Sequence, residues 1–142
     1  MRGPAKVGLV VLAAAAVFAY VHWPPLSEVE TGKTPEYPDL QVQHFTAGEE
    51  RLTNAARGAI AALPGWEVVG GGRGPGGSEL AAVARPTLLP LKYDVTVRIR
   101  RRTGGTDLSV RSRSRVGSID LGQNARNIRA FLAQLDRHLA QP

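Results

Sequence analysis

The spacing of apolar residues changes repeatedly along this chain, and each spacing predicts an element. Residues 7–21, VGLVVLAAAAVFAYV, hold no charge, and a helix drawn out from Pro4 to Trp23 reaches the ~20 residues that a bilayer crossing takes. Further on, Leu52, Ala55, Ala56, Ala59, Ile60 and Leu63 recur at helical intervals within HFTAGEERLTNAARGAIAALPG, which predicts a helix over about 47–63. Thr46 with Glu49 makes a capping-box pattern at its start, and Pro64 with Gly65 ends it. Two β-like runs follow, WEVVG and SELAAVARP, joined by GGGRGPGG; they predict a hairpin.

The clearest alternation lies in YDVTVRIRRR, where Val95, Val97 and Ile99 interleave with Thr96, Arg98 and Arg100. One face of such a strand is apolar and the other basic. After TGGT, the run DLSVRSRSR places Leu108 and Val110 on one side and Arg111, Arg113 and Arg115 on the other. A hairpin turning on Gly104 and Gly105 is expected. That register sets Ile99 against Val110, Val97 against Ser112 and Val95 against Ser114; on the other face Arg98 meets Arg111, Thr96 meets Arg113 and Asp94 meets Arg115. Ser112 and Ser114 keep the inner face small for a close neighbour. That neighbour is the last element, in which Leu121, Ala125, Ile128, Leu132, Leu135 and Leu139 form an apolar stripe. Asp120 and Gln123 offer a second capping box, after a turn at Gly117. The expected fold is α+β: a four-stranded antiparallel sheet with two helices on one face, in the order helix, four strands, helix, preceded by an N-terminal transmembrane helix.

Charge orients the first segment. Arg2 and Lys6 precede the uncharged run, and Glu28, Glu30 and Glu36 follow it. The positive-inside rule then predicts a single-pass anchor over 1–23 with a cytoplasmic N-terminus and an exported domain. A cleaved export signal is the alternative, but VFAYVHWPP offers no small-x-small cleavage site. Prolines 24, 25, 35 and 38 make residues 24–38 read as a spacer, with the domain proper over 39–142. Cysteine is absent, which excludes disulfides, thiolate metal sites and a cysteine nucleophile.

The final third resembles a known bacterial and plastid family, the one called domain of unknown function 1499. The resemblance rests on Arg111, Ser112, Ser114, Arg115 and Gly117 in the strand, then Asp120, Leu121, Gly122 and Asn124 opening the helix. It extends over about residues 38–140. It implies a fold and a membrane or envelope setting, hence a bacterial inner-membrane protein with a periplasmic domain, and no catalytic residue. The Asn-Cys motif that often opens the family's domain is missing here.

Three classes of function remain to weigh. Residues 39–142 carry fifteen Lys or Arg against nine Asp or Glu, which is the whole excess of +6. Arg98 opposite Arg111, with Arg100 and Arg113 beside them, is unfavourable in isolation and an anion would relieve it, a merely solvated arginine face being the alternative; these four are the candidate binding residues. Anionic lipid headgroups or an acidic membrane-protein partner fit; nucleic acid fits poorly without an aromatic platform. Asp94 with Arg115 reads as a structural ion pair. The second class is a carrier of a small apolar ligand between sheet and helices. The third, a hydrolase, has Ser112, Ser114 or Ser118 with Asp94 or Asp120 and His44, but no nucleophile elbow. His22, His44 and His138 show no ligand spacing, so neither metal nor cofactor is expected. Gly72, Gly74 and Gly77 have nucleotide-loop spacing, yet a strand-like run follows them where a phosphate loop needs a helix.

Overall fold

A computed structural model describes residues 3–22, 26–87, 90–117 and 120–141. Arg2, Trp23, Pro24, Pro25 and Ser118 lie outside these, as do the side chains of Pro4 and His22. Helix α1 runs Gly3–His22, strand β1 Glu28–Glu30, β2 Gln43–Phe45, helix α2 Glu49–Ala62, β3 Trp66–Gly74, β4 Gly77–Ala84, β5 Tyr93–Arg102, β6 Gly105–Ser114 and helix α3 Gln123–Leu139. The fold is α+β, with one six-stranded antiparallel sheet in the order β1-β6-β5-β4-β3 and β2 beside β1 on the same edge of β6.

The structure therefore corrects the expected four strands to six, and the two additions come from residues assigned to a spacer and its surroundings. Glu28, Val29 and Glu30 pair with Arg113, Ser112 and Arg111, and Gln43, His44 and Phe45 pair with Leu108, Asp107 and Thr106. Val29 is fully buried and Tyr37 and Leu40 nearly so, so 28–40 belongs to the domain. Both added strands are too short to show an alternation of their own.

The expected membrane span is also corrected: among the described residues no helix is long and apolar enough to cross a membrane. At 1.5 Å per residue the uncharged run of 7–21 rises about 22 Å, short of the ~30 Å hydrocarbon layer. The placement as a single-pass inner-membrane protein with a periplasmic domain rested on that span and falls with it.

Within the sheet the two faces divide as the alternation requires. Val95, Val97 and Ile99 of β5 and Leu108 and Val110 of β6 are buried beneath α2 and α3, packed with Leu52, Ile60, Ile128, Phe131 and Leu135. Trp66 stacks on Phe131 with ring centroids 6.5 Å apart. The hairpin register differs from expectation by two residues: Ile99 faces Leu108, Val97 faces Val110, Val95 faces Ser112 and Tyr93 faces Ser114. An even shift leaves every side chain on its face and changes only its partner. Its cause is Gly105. Thr103 and Gly104 make the turn, with Gly104 at φ +82°, whereas a Cβ on Gly105 would meet the Phe45 carbonyl of β2. The second glycine serves the close approach of β2, not the turn.

The helices hold two further differences. Gly48 caps α2 without a side-chain hydrogen bond, so the Thr46–Glu49 capping box does not form. On α3 the buried face comprises Asn124, Ala125, Asn127, Ile128, Phe131 and Leu135, while Leu121 lies before the helix and is exposed. The nucleotide-like glycines end up in β3 and β4, with Gly74 opposite Gly77 across the Pro75–Gly76 tip.

At Gly58 α2 and α3 press close, because a Cβ there would sit 2.6 Å from the His138 ring. Alanine normally gains about 1 kcal/mol over glycine inside a helix. Gly58→Ala is expected to gain that much in a His138→Ala background and to lose it, or become destabilising, with His138 present. Urea unfolding of the four proteins in the cycle measures the coupling.

Candidate functional site

Family-signature residues converge on a buried polar clasp between β6 and α3. Leu121 and Gly122 take left-handed conformations in succession, at φ 51° and 77°; for leucine this is an uncommon state. The turn they make brings the Asp120 carboxylate under the start of α3, where its two oxygens accept the Gly122 and Asn124 N–H groups, each at 2.9 Å. Gln123 reaches forward to Asn127 rather than back to Asp120, so the capping is carried by Asp120 alone.

Asn124 is the hub. Its Nδ2 donates to the Ser27 carbonyl at 3.1 Å and to Ser114 Oγ at 3.0 Å, while its Oδ1 accepts from Ser112 Oγ at 2.8 Å. Asn127 Nδ2 donates to Ser112 Oγ as well. Ser112, Asn124 and Asn127 are almost wholly buried, and in the low-dielectric interior such groups must find partners within the protein. Ser112 and Ser114 are thus occupied by asparagines, and no base reaches them. His44 lies on β2, with Nδ1 2.6 Å from Asp107 Oδ1, and Asp94 is on the opposite face. Among the described residues, which leave out Ser118, the serine, histidine and acid types of the hydrolase reading are not brought together, and no group of three or more potential ligands could hold a metal.

The outer face is an ionic lattice. Arg98 meets Ser109 and Arg100 meets Asp107 in the β5–β6 register, so the expected opposition of Arg98 and Arg111 does not occur. Arg111 Nη2 donates to Glu28 at 2.8 Å and Arg98 Nε to Glu79 at 3.0 Å. Arg115 holds Asp94 with both Nε and Nη2, at 3.0 and 2.9 Å, as a diagonal rather than directly opposite pair. These bonds raise the Arg115 and Arg111 pKa values above the ordinary range, against the cost of desolvation. Alternate acids at 28 and 30 matching alternate arginines at 111 and 113 were the available sign of this lattice, hidden because 24–38 read as a spacer.

Two cavities share one arginine on this side. One, of about 290 Å³, is lined by Glu30, Lys33, Val42, Arg98, Arg100, Asp107 and Ser109. The other, of about 320 Å³, lies over the glycine-rich β3–β4 tip and also includes Arg100. Lys33 pairs with Glu30 at 2.8 Å, and Asp107 serves Arg102 at 3.1 Å as well as His44. Arg100 has no ion-pair partner among the described residues. Of the four expected anion-binding arginines, the structure brings Arg98 and Arg100 to a cavity; Arg111 and Arg113 line neither, and Lys33 was missed.

At the sheet's end the half-expected cap residue Glu49 has another role. Its buried carboxylate accepts from Ser78 Oγ and from Arg101 at 2.6 Å, with Arg73 at 3.4 Å. The Ser78 hydrogen bond and then the arginines hold its pKa below the ordinary 4.5, against desolvation.

The geometry defines a small two-layer α+β domain. The family model described as protein of unknown function (DUF1499) matches residues 22–135, and the chain belongs to that family. Among curated proteins there is no match. Among solved structures it is similar to protein CV1439 from Chromobacterium violaceum, at 14% identity over 82% of this chain and 98% of that one with a TM-score of 0.44. It is also similar to Ara h 8.0201, at 12% identity over 80% and 98% with a TM-score of 0.39.

Two outcomes follow from these groups. Asn124→Ala strands the Ser114 hydroxyl, removes the acceptor of Ser112 and leaves the Ser27 carbonyl with the Ser114 N–H as its remaining donor, so denaturant unfolding should lose about 2–4 kcal/mol. Glu49 has a depressed folded pKa, so it contributes stability above its ordinary value and loses that contribution as pH falls through the folded one. The stability difference between wild type and Glu49→Gln, followed from pH 6 downward, should therefore shrink on acidification.

Proposed function

We propose that this domain is a non-enzymatic binding module that receives a carboxylate of an acidic partner protein in the outer-face cavity beside Arg100. The observation that carries the reading is that Arg100 has no ion pair among the described residues, its cross-strand neighbour Asp107 being held by Arg102 and His44, while Arg98 and Lys33 each have one. The cavity wall thus holds three cations against Glu30 and Asp107, and the whole chain carries +6. A long-range field of that sign attracts acidic partners and an uncompensated guanidinium gives them a point of attachment.

An exposed charge pair contributes about 1 kcal/mol at most, less in salt, so the interaction is weak unless the partner supplies several acids. The carrier reading needs room between sheet and helices, where Tyr93, Ile99, Leu108, Ile128 and Phe131 are packed and buried; no observation favours it.

The test is fluorescence-anisotropy titration of a labelled oligoglutamate peptide. Arg100→Ala should weaken binding about fivefold, close to 1 kcal/mol, and added salt should weaken it further. Arg113→Ala, remote from the cavity, should leave it unchanged. Equal affinity for all three proteins overturns the reading. Preferential binding of the domain to vesicles rich in phosphatidylserine, with none to the peptide, overturns the protein partner in favour of lipid headgroups.

A further inference from the structure

The two edges of the sheet are finished differently. Beyond β6 the edge is divided between β1 and β2, three residues each, whereas the opposite edge is a single strand of nine, β3. A strand edge presents a row of main-chain donors and acceptors, which proteins blunt with proline, outward charges or bulges. β3 contains no proline, and its two charges are turned back into the domain, Glu67 to Arg85 at 3.5 Å and Arg73 to Glu49 at 3.4 Å. Its bulge lies between Val68 and Gly70, so Gly70–Gly74 keeps a regular register with β4.

Helix α2 runs antiparallel to this strand: Glu49 at its start meets Arg73, and Leu63 just past its end meets Trp66. Between helix and strand lies a polar cavity of about 290 Å³, lined by Glu50, Thr53, Asn54 and Arg57 of α2 and by the 71–73 stretch of β3. Those four helix positions share one face. Glu50 and Arg57 are exposed, and neither has an ion-pair partner among the described residues. They stand about 10 Å apart along the helix axis.

The order of side chains on this face is its own complement. Turned end for end, it sets Glu50 against Arg57 and Thr53 against Asn54, and then the same two pairs in reverse. The strand below has a matching property. Gly74 and Gly77 are partners across the two-residue tip and exchange main-chain bonds as such hairpins do. In an antiparallel ladder bonded pairs alternate with pairs whose main-chain groups point away, so Arg73 and Gly71 offer theirs to the open side.

We propose that two copies of this chain join through β3, edge to edge and antiparallel about Gly71, with the two α2 helices side by side along the seam. The twofold axis passes through Gly71 and between Thr53 and Asn54, and each Glu50 meets the other copy's Arg57. A twofold interface takes one patch that complements itself; the helix face and the strand supply it about a single axis. The proposal does not depend on the carboxylate reading, and it leaves both Arg100 side chains on one continuous outer face.

Sedimentation of the full chain across a range of concentrations tests it. Glu50→Arg and Arg57→Glu, both at exposed positions, should each weaken the dimer about a hundredfold, because like charges then meet at both ends of the seam. Combining the two reversals in one chain restores the complement and should return the dimer to near wild-type strength. The two single variants, mixed, should pair with each other. Dimerisation should also slow deuterium exchange at the Gly71 and Arg73 amides and leave those of β1 unchanged. A wild-type chain that stays monomeric, or an association that ignores both reversals, such as one through α1, overturns the proposal. So does a combined variant as weak as the single ones, or a dimer whose β3 amides exchange at the monomer's rate.

Discussion

Asn124 is the residue on which the rest of this structure depends, because its single amide ties together β6, α3 and the segment leading into β1. A buried side-chain amide is a costly thing to place unless all its groups are met, and its geometry leaves few ways to meet them. Once Asn124 sits over Ser112 and Ser114, α3 has one position on the sheet. Ser27 is then drawn to the same point, and β1 follows onto the free edge of β6. The glycine and the left-handed leucine before α3 exist to let Asp120 fold under the helix and hold its first amides. An apolar helix–sheet contact would be as stable but free to slide; a polar hub fixes the register.

That account also explains what could be read from the chain beforehand. The faces of β5 and β6 were legible, since alternation at a period of two survives any even shift, and the serine positions pointed to a close neighbour on the inner side. Partner identities were not legible. They depended on whether Gly105 belonged to the turn, and that was decided by Phe45 of β2, a three-residue strand with no pattern of its own. Likewise Leu121 looked like the head of the apolar stripe, whereas Asn124 and Asn127, polar by type, occupy the buried face. Composition-based reading assigns asparagine outward, and only the serines opposite make inward placement favourable.

The candidate site suffered from the same displacement. With the expected register, four arginines crowd the outer face and demand an external anion. In the observed one, serines and acids from β1, β4 and β6 stand among them, and most of that demand is answered inside the molecule. The alternate glutamates of SEVE are the decisive residues, and they were overlooked because prolines on both sides made the stretch read as a spacer. Proline excluded a long strand there but not a short one at an edge.

A neutralised lattice changes what such a surface does rather than abolishing its use. Arginines held by neighbouring carboxylates are ordered, so they present fixed donors instead of flexible charges and give up less rotamer freedom on contact. A ligand must then match the gaps between pairs, and Arg100, set between two cavities, is one point where the pattern is left open. Selectivity in that arrangement comes from position more than from total charge. A polyanion that meets the lattice only through long-range attraction gains little from the arginines already held by acids, such as Arg98, Arg111 and Arg115, whereas a group shaped to reach Arg100 gains an ion pair that none of the described residues provides.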